Sequence, residues 1–324
     1  MTERAHSGAA VLAEAATAAG FAPSVLNTQP WRWRVAGDVL ELHAARERQL
    51  HETDPDARLL TISCGAALHH ALVALAAEGW QARVERPAGS DLLARILLGS
   101  RSQVTADAIR HFQTLRVRHT DRRPLTTAPA PAADIDAVRR AGTLPGVDVH
   151  RLTPQQVSDL GVAAARADEI ELLDPQQREE MAYWVGGDRP GGAGVPSDVV
   201  PPTPPAGIVP GRDFVRGGTL AVGAGSDRAA VYLLLFGGGD EPADWLRAGE
   251  AMSAAWLAAT ERGLSVLPFS SVIEVRSVRE SLRRNALASL GYPFLVLRIG
   301  NGDPDHAAPP HTPRLPAAQI IDIA

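Results

Sequence analysis

Apolar positions along the chain fall into groups with different periods. Residues 8–19 are Ala-rich and run into Gly20, which suits a helix ended by a left-handed cap. Residues 31–35 and 39–43 alternate at period two on either side of Gly37-Asp38, which predicts a hairpin. The loop 21–30 therefore joins helix to sheet. Residues 59–78 predict a strongly apolar helix closed by Gly79, and a short apolar run follows at 92–98.

The same pattern returns later in the chain. GAALHHALVALAAEG, from Gly65 to Gly79, lies over GEAMSAAWLAATERG, from Gly249 to Gly263, without a gap and with both terminal glycines matched. Each copy leads on to an apolar strand that ends in glycine, at Gly99 and at Gly300. Two Ala-rich helices can align by composition alone, but the shared continuation favours an internal duplication. Between the copies, residues 189–210 read RPGGAGVPSDVVPPTPPAGIVP, too rich in Pro and Gly for helix or central strand. Ile208, Phe214 and several valines give this stretch apolar groups with which to dock, so an ordered lid is favoured over a free linker.

Composition narrows the class. A chain of 324 residues with 45% hydrophobic and 21% charged residues can bury a sizeable core. No apolar run is expected to reach the roughly 20 residues of a membrane span, and the first residues do not read as a signal peptide, so a cytoplasmic address is expected. The net charge of −5 argues against an extended grip on nucleic acid; an anion site must be local. There is no lysine, so all 32 basic residues are Arg, a bias more of coding than of function. Cys64 is the single cysteine, which excludes an intrachain disulfide and a Cys-rich zinc site.

Three stretches could carry chemistry. Arg118-His119-Thr120-Asp121-Arg122-Arg123 sets a hydroxyl between arginine forks, which suits a terminal phosphate and would equally suit a solvated basic turn. The loop from Pro23 to Trp31 combines amides, prolines and flat apolar surface, the mixture that a heteroaromatic ring with polar edges needs; it could also be a capped turn. Pro268-Phe269-Ser270, leaving the second repeat helix, could stop strand pairing and free backbone N–H groups for a ligand, or be a simple strand end. Other motifs fail. Gly223-Ala224-Gly225 lacks the third glycine of a dinucleotide fingerprint. His69 and His70 are adjacent on a helix and cannot chelate one metal, and His306 and His311 lie in a Pro-rich tail. No metal site is expected.

These residues resemble a known family. APSVLNTQPWRW resembles the A-P-S-x-x-N-x-Q-P-W signature of nitroreductases, and Arg118 to Arg122 resembles their R-x-[ST]-x-[RK] phosphate motif, here in reversed order. DPDARLLTISCGAALHHALVALAAEGW and DWLRAGEAMSAAWLAATERGL resemble the mycobacterial dormancy-associated Acg proteins over nearly the whole chain. The resemblance implies an α+β fold of two nitroreductase-like halves, each with a mainly antiparallel sheet, arranged as a pseudo-dimer. Residues 1–112 would supply the N-x-Q-P-W loop, and residues 113–324 the phosphate motif with a lid at 189–214. It implies one FMN per chain, because the first half shows no phosphate motif before its loop.

Residue by residue, the resemblance places Arg118, Thr120 and Arg122 on the FMN phosphate or ribityl chain, with His119 less secure, and Arg314 closing on the phosphate from the tail. Pro23, Ser24, Asn27 and Gln29 would approach the flavin from the other half, and Pro268, Phe269 and Ser270 would border its ring. NAD(P)H would be the electron donor, passing hydride through FMN N5 to a small aromatic, quinone or nitro acceptor. The alternative is a catalytically silent FMN-sequestering or stress protein whose lid covers the flavin. A monomer or weak homodimer follows, with no nucleic-acid or membrane partner.

Overall fold

The computed structural model describes residues 8–323 apart from 88, 90, 188–190, 224, 288–289 and 305–307. The chain start, Arg189 at the head of the Pro-rich stretch, Ala224 and His306 thus lie outside the described residues. Helix α1 (Gly8–Ala19) is followed by the hairpin β1 (Trp31–Ala36) and β2 (Val39–Ala44), turning at Gly37 with φ of +60° as its sequence predicts. Next come α2 (Arg58–Ala77), β3 (Trp80–Glu85), β4 (Leu92–Arg101) and α3 (Ala106–Val117), the last started by the Thr105 hydroxyl accepting from the Ala108 N–H.

Helix α4 (Ala132–Gly142) leads to β5 (Asp148–Arg151). Helices α5 (Pro154–Leu173) and α6 (Pro175–Trp184) both begin with proline at the first turn, behind Thr153 and Asp174 caps. After the Pro-rich stretch come β6 (Val231–Gly237), α7 (Pro242–Thr260), β7 (Leu264–Phe269), α8 (Ser271–Glu274), α9 (Arg276–Asn285) and β8 (Tyr292–Asn301). The chain closes with α10 (Ala317–Ile320) and β9 (Ile321–Ile323).

This is an α+β architecture of two sheets. One has the order β3-β4-β2-β1-β9, the other β5-β6-β8-β7, and every pairing is antiparallel except β1 with β9. The short β9 comes from beyond the second sheet and completes the first, with Ile321 opposite Trp33. Each sheet carries one long apolar helix, and those two helices, α2 and α7, pack on each other at the centre of one continuous core.

Where they cross, the repeat becomes geometry. A Cβ on Gly65 would stand 2.0 Å from the Leu246 carbonyl oxygen, and one on Gly249 would stand 1.9 Å from that of Ile62. Each glycine thus meets its aligned copy and the turn before it, a reciprocal contact of the kind a two-fold axis produces. One turn further on, His69 and its aligned partner Ser253 touch, Nδ1 to Oγ at 2.9 Å. Only glycine leaves room for backbones this close.

One expectation needs correction. Helix α2, 20 residues with a mean hydropathy of 1.7, is long and apolar enough to cross a membrane by length and composition. It is a core helix, with 83% of that window buried inside the fold. Its Thr61 and Ser63 hydroxyls bond back to carbonyls four residues earlier, so burying them costs little.

Candidate functional site

The sequence Arg118 to Arg122 leaves α3 as extended chain, and alternation turns Arg118, Thr120 and Arg122 to one side. That side faces a cavity of about 390 Å³, within the range of about 300–1,000 Å³ usual for cofactor sites. The cavity lies between the halves. Pro23, Ser24 and Asn27 form one wall, and Pro268, Phe269 and Ser270 another; Met252 and Trp256 of α7 and Arg314 of the tail also line it. Ten of the twelve residues expected at the site therefore meet around one space.

The other two do not line it. The Gln29 side chain is buried and used as a tie: its amide donates to the Gly192 carbonyl at 2.8 Å, and its Oε1 accepts from the Leu315 N–H at 2.9 Å. His119 turns away, its ring Nδ1 3.1 Å from the Val117 carbonyl and its ring edge-on to His311. The fourth cation of the motif, Arg123, pairs with Asp121 in a buried bridge at 2.8 Å. Pro268 does not end its strand; it stays in register opposite Leu297, which is tolerated because β7 is the edge of its sheet.

The loop that carries Asn27 is strained and held from several sides. Leu26, Asn27 and Gln29 have φ of 42°, 54° and 50°, left-handed values that cost non-glycine residues about 1–3 kcal/mol each. The Ser24 hydroxyl accepts from the Gln29 N–H, and the Ser63 hydroxyl from the Val25 N–H. The Asn27 amide donates to the carbonyls of Gly194 and Pro313, and its oxygen accepts from Arg314 at 3.1 Å. Asn27 thus joins loop, Pro-rich stretch and tail.

The electrostatics ask for an anion. Arg118 is buried and Arg122 and Arg314 are half-buried around the cavity, and among the described residues none of them forms an ion pair. Each Nε is without a hydrogen-bond partner. Burial, with the charge of Arg314 beside it, pushes the Arg118 guanidinium well below its ordinary range; burial alone brings Arg314 down to about 10, and Arg122 also falls to about 10. Arg118 rests on the Trp256 ring at 4.5 Å and donates to the Phe21 carbonyl, contacts that hold a cation without neutralising it. A multiply charged anion such as a phosphate would neutralise three cations so gathered.

The Pro-rich stretch forms the remaining wall. Val195, Val199, Val200 and Val209 are buried, and Gly194 N–H donates to the Asn27 carbonyl at 3.1 Å. Residues 200–205 and 211–217 line the cavity, so this part of the stretch packs against it. Phe214 lines the cavity as a docking group of the stretch, while composition alone did not reveal Arg212 or Trp256 as wall residues; the Trp256 position was readable as one face of an apolar helix, but Arg212 had no periodic signal.

No family model matches the chain. Relatives do. A Mycobacterium tuberculosis protein named "Putative NAD(P)H nitroreductase Rv3131" is 37% identical over 315 residues, spanning 94% of this chain and 89% of its own length. A second, "Putative NAD(P)H nitroreductase acg" of the same organism, is 30% identical over 319 residues, spanning 97% and 96%. Among solved structures, a nitroreductase with bound FMN from Bacteroides fragilis aligns at 13% identity with a TM-score of 0.38, covering 62% of this chain and 93% of its own. The family assignment rests on the sequence relatives.

Proposed function

The chain belongs to the Acg-like branch of the nitroreductase superfamily, and from that premise we propose that it is an FMN-dependent oxidoreductase holding one FMN in the cavity between residues 1–112 and 113–324. The observation that carries this reading is the trio of guanidinium groups without an ion pair, Arg118, Arg122 and Arg314, each with a buried, unpartnered Nε, facing a space of cofactor size. Arg118 and Arg314 would hold the phosphate with Thr120, and Arg122 would lie along the chain that joins phosphate to ring. Pro23, Ser24, Asn27, Pro268, Phe269 and Ser270 would border the ring. When bound, FMN supplies two-electron chemistry, taking hydride from NAD(P)H and passing it to a small organic acceptor.

One flavin per chain is supported at the opposite end of the helix pair. The residue that follows β3, matching Ser270 after β7, is Arg86. Its guanidinium grips Glu250 of α7 at 2.7 and 2.9 Å, with Glu250 buried. A paired arginine thus stands where the repeat places the counterpart of the cavity residue Ser270.

The ordered Pro-rich wall favours a second reading, in which residues 189–214 act as a lid that keeps nicotinamide away and the protein stores or sequesters FMN. Anaerobic mixing of holoprotein with NADH or NADPH separates the two. Bleaching of the flavin band within seconds is expected for the oxidoreductase; bleaching by dithionite but by neither nicotinamide leaves sequestration.

A further inference from the structure

We propose that Arg212 is the latch of this lid: its ion pairs hold residues 211–217 against the cavity, and their release swings Phe214 out and opens the flavin face to solutes. The inference rests on the lid reading given above and names what controls it.

The segment is almost without other moorings. Among the described residues, the backbone of 212–217 makes no hydrogen bond outside itself. On either side the chain is fixed, at Gly211 by the Pro205 carbonyl and at Gly218, Thr219 and Leu220 by the carbonyls of Pro201, Ser197 and Val200. Between those points Phe214 lines the cavity, its ring 5.4 Å from the Arg122 guanidinium, and packs with Val215 on the apolar cluster of Leu26, Trp184 and Val199.

The turn beyond Phe214 is strained. Val215 has φ of 65°, and the Arg216 N–H reaches back to the Phe214 carbonyl at 2.6 Å, closing a three-residue turn. A β-branched residue rarely accepts that conformation, so the segment is held there and gains by leaving.

Arg212 supplies the hold. Its guanidinium donates twice to Glu274, at 2.9 and 2.5 Å, and once to Glu171, at 3.0 Å, with all three side chains at most 10% exposed. Glu274 ends α8, directly after the cavity residues Ser270 and Ser271, and Glu171 belongs to α5. The latch therefore ties the lid to the half that carries the phosphate motif. It is also unbalanced. Two carboxylates face one cation, with Asp168 close by, and burial pushes Glu171 up to about 8 and Asp168 to about 6. Removing the carboxylates leaves the Arg212 charge buried and uncompensated, so the hold is lost with them.

Two readouts test the latch. In Glu171→Gln/Glu274→Gln, trypsin cleavage after the exposed Arg216 should accelerate at least about tenfold, and acrylamide should quench the bound flavin more strongly. Arg212→Gln should do the same, which covers the case that the double variant does not fold. Cleavage and quenching at wild-type levels in a folded variant would overturn the latch. Because cleavage needs no flavin, it decides the latch even if purified protein binds no FMN, a result that would sink only the cofactor reading.

Discussion

The two ends of the α2–α7 pair are built alike and finished differently. At one, β7 runs into Phe269 and Ser270 beside three arginines that lack a carboxylate; at the other, β3 runs into Arg86, and Glu250 neutralises it. The difference teaches that a buried cation marks a binding site only while it is unpaired. A paired one is structure.

The comparison breaks entirely if the crossing goes. Gly249→Val drives a side chain into the Ile62 carbonyl and should cost at least about 3 kcal/mol, read as a large fall in Tm with both ends lost. Arg118→Ala/Arg122→Ala should weaken FMN by at least about 100-fold and riboflavin much less, since each charge-assisted contact contributes about 1.5–3 kcal/mol; titration by flavin fluorescence reads both. Unchanged FMN affinity in that folded variant would remove the site. Glu250→Ala, at the filled end, should lower stability by about 1–3 kcal/mol in urea while leaving FMN affinity alone, and Arg86→Met/Glu250→Met should recover much of the loss.

The smallest effect is pH. Around Arg212 stand Glu171, Glu274, Asp168 and Asp213, with Arg178 at the edge of the same crevice. Burial raises Glu171 to about 8 and, at the start of α2, Asp54 to about 7 in the folded chain. The folded chain thus holds protons that the unfolded chain releases, so this contribution to stability is complete below the ordinary carboxylate value and is lost as pH rises through about 7 to 8. Tm should fall by a few degrees between pH 6 and 9. A rise would reverse the sign and break the account.

Much of this was legible in the residues. Alternation in Arg118-His119-Thr120-Asp121-Arg122 separates three wall residues from two that face elsewhere, and the gapless repeat anticipates which positions of α2 and α7 touch. The glycines matched by sequence are the ones that meet. What stayed hidden depends on distant partners. Asn27 ties three segments and Gln29 two, through bonds to residues more than 160 positions away, and nothing local signals them. Arg212 stands in a stretch without period, and its meaning comes from Glu171 and Glu274. The strongly apolar helix at 59–78 was legible, and its burial on nearly every side comes from its packing in the core.

The Pro-rich wall has a consequence for recognition. Pro201, Pro202, Pro204 and Pro205 all border the cavity, and none of them has an N–H to offer. A molecule arriving beneath that wall meets rings and carbonyl oxygens, with Thr203 the one residue among them able to donate. Residues 201–205 therefore shape this side of the cavity by outline, and its hydrogen-bond donors come from residues 211–217 and the facing arginines.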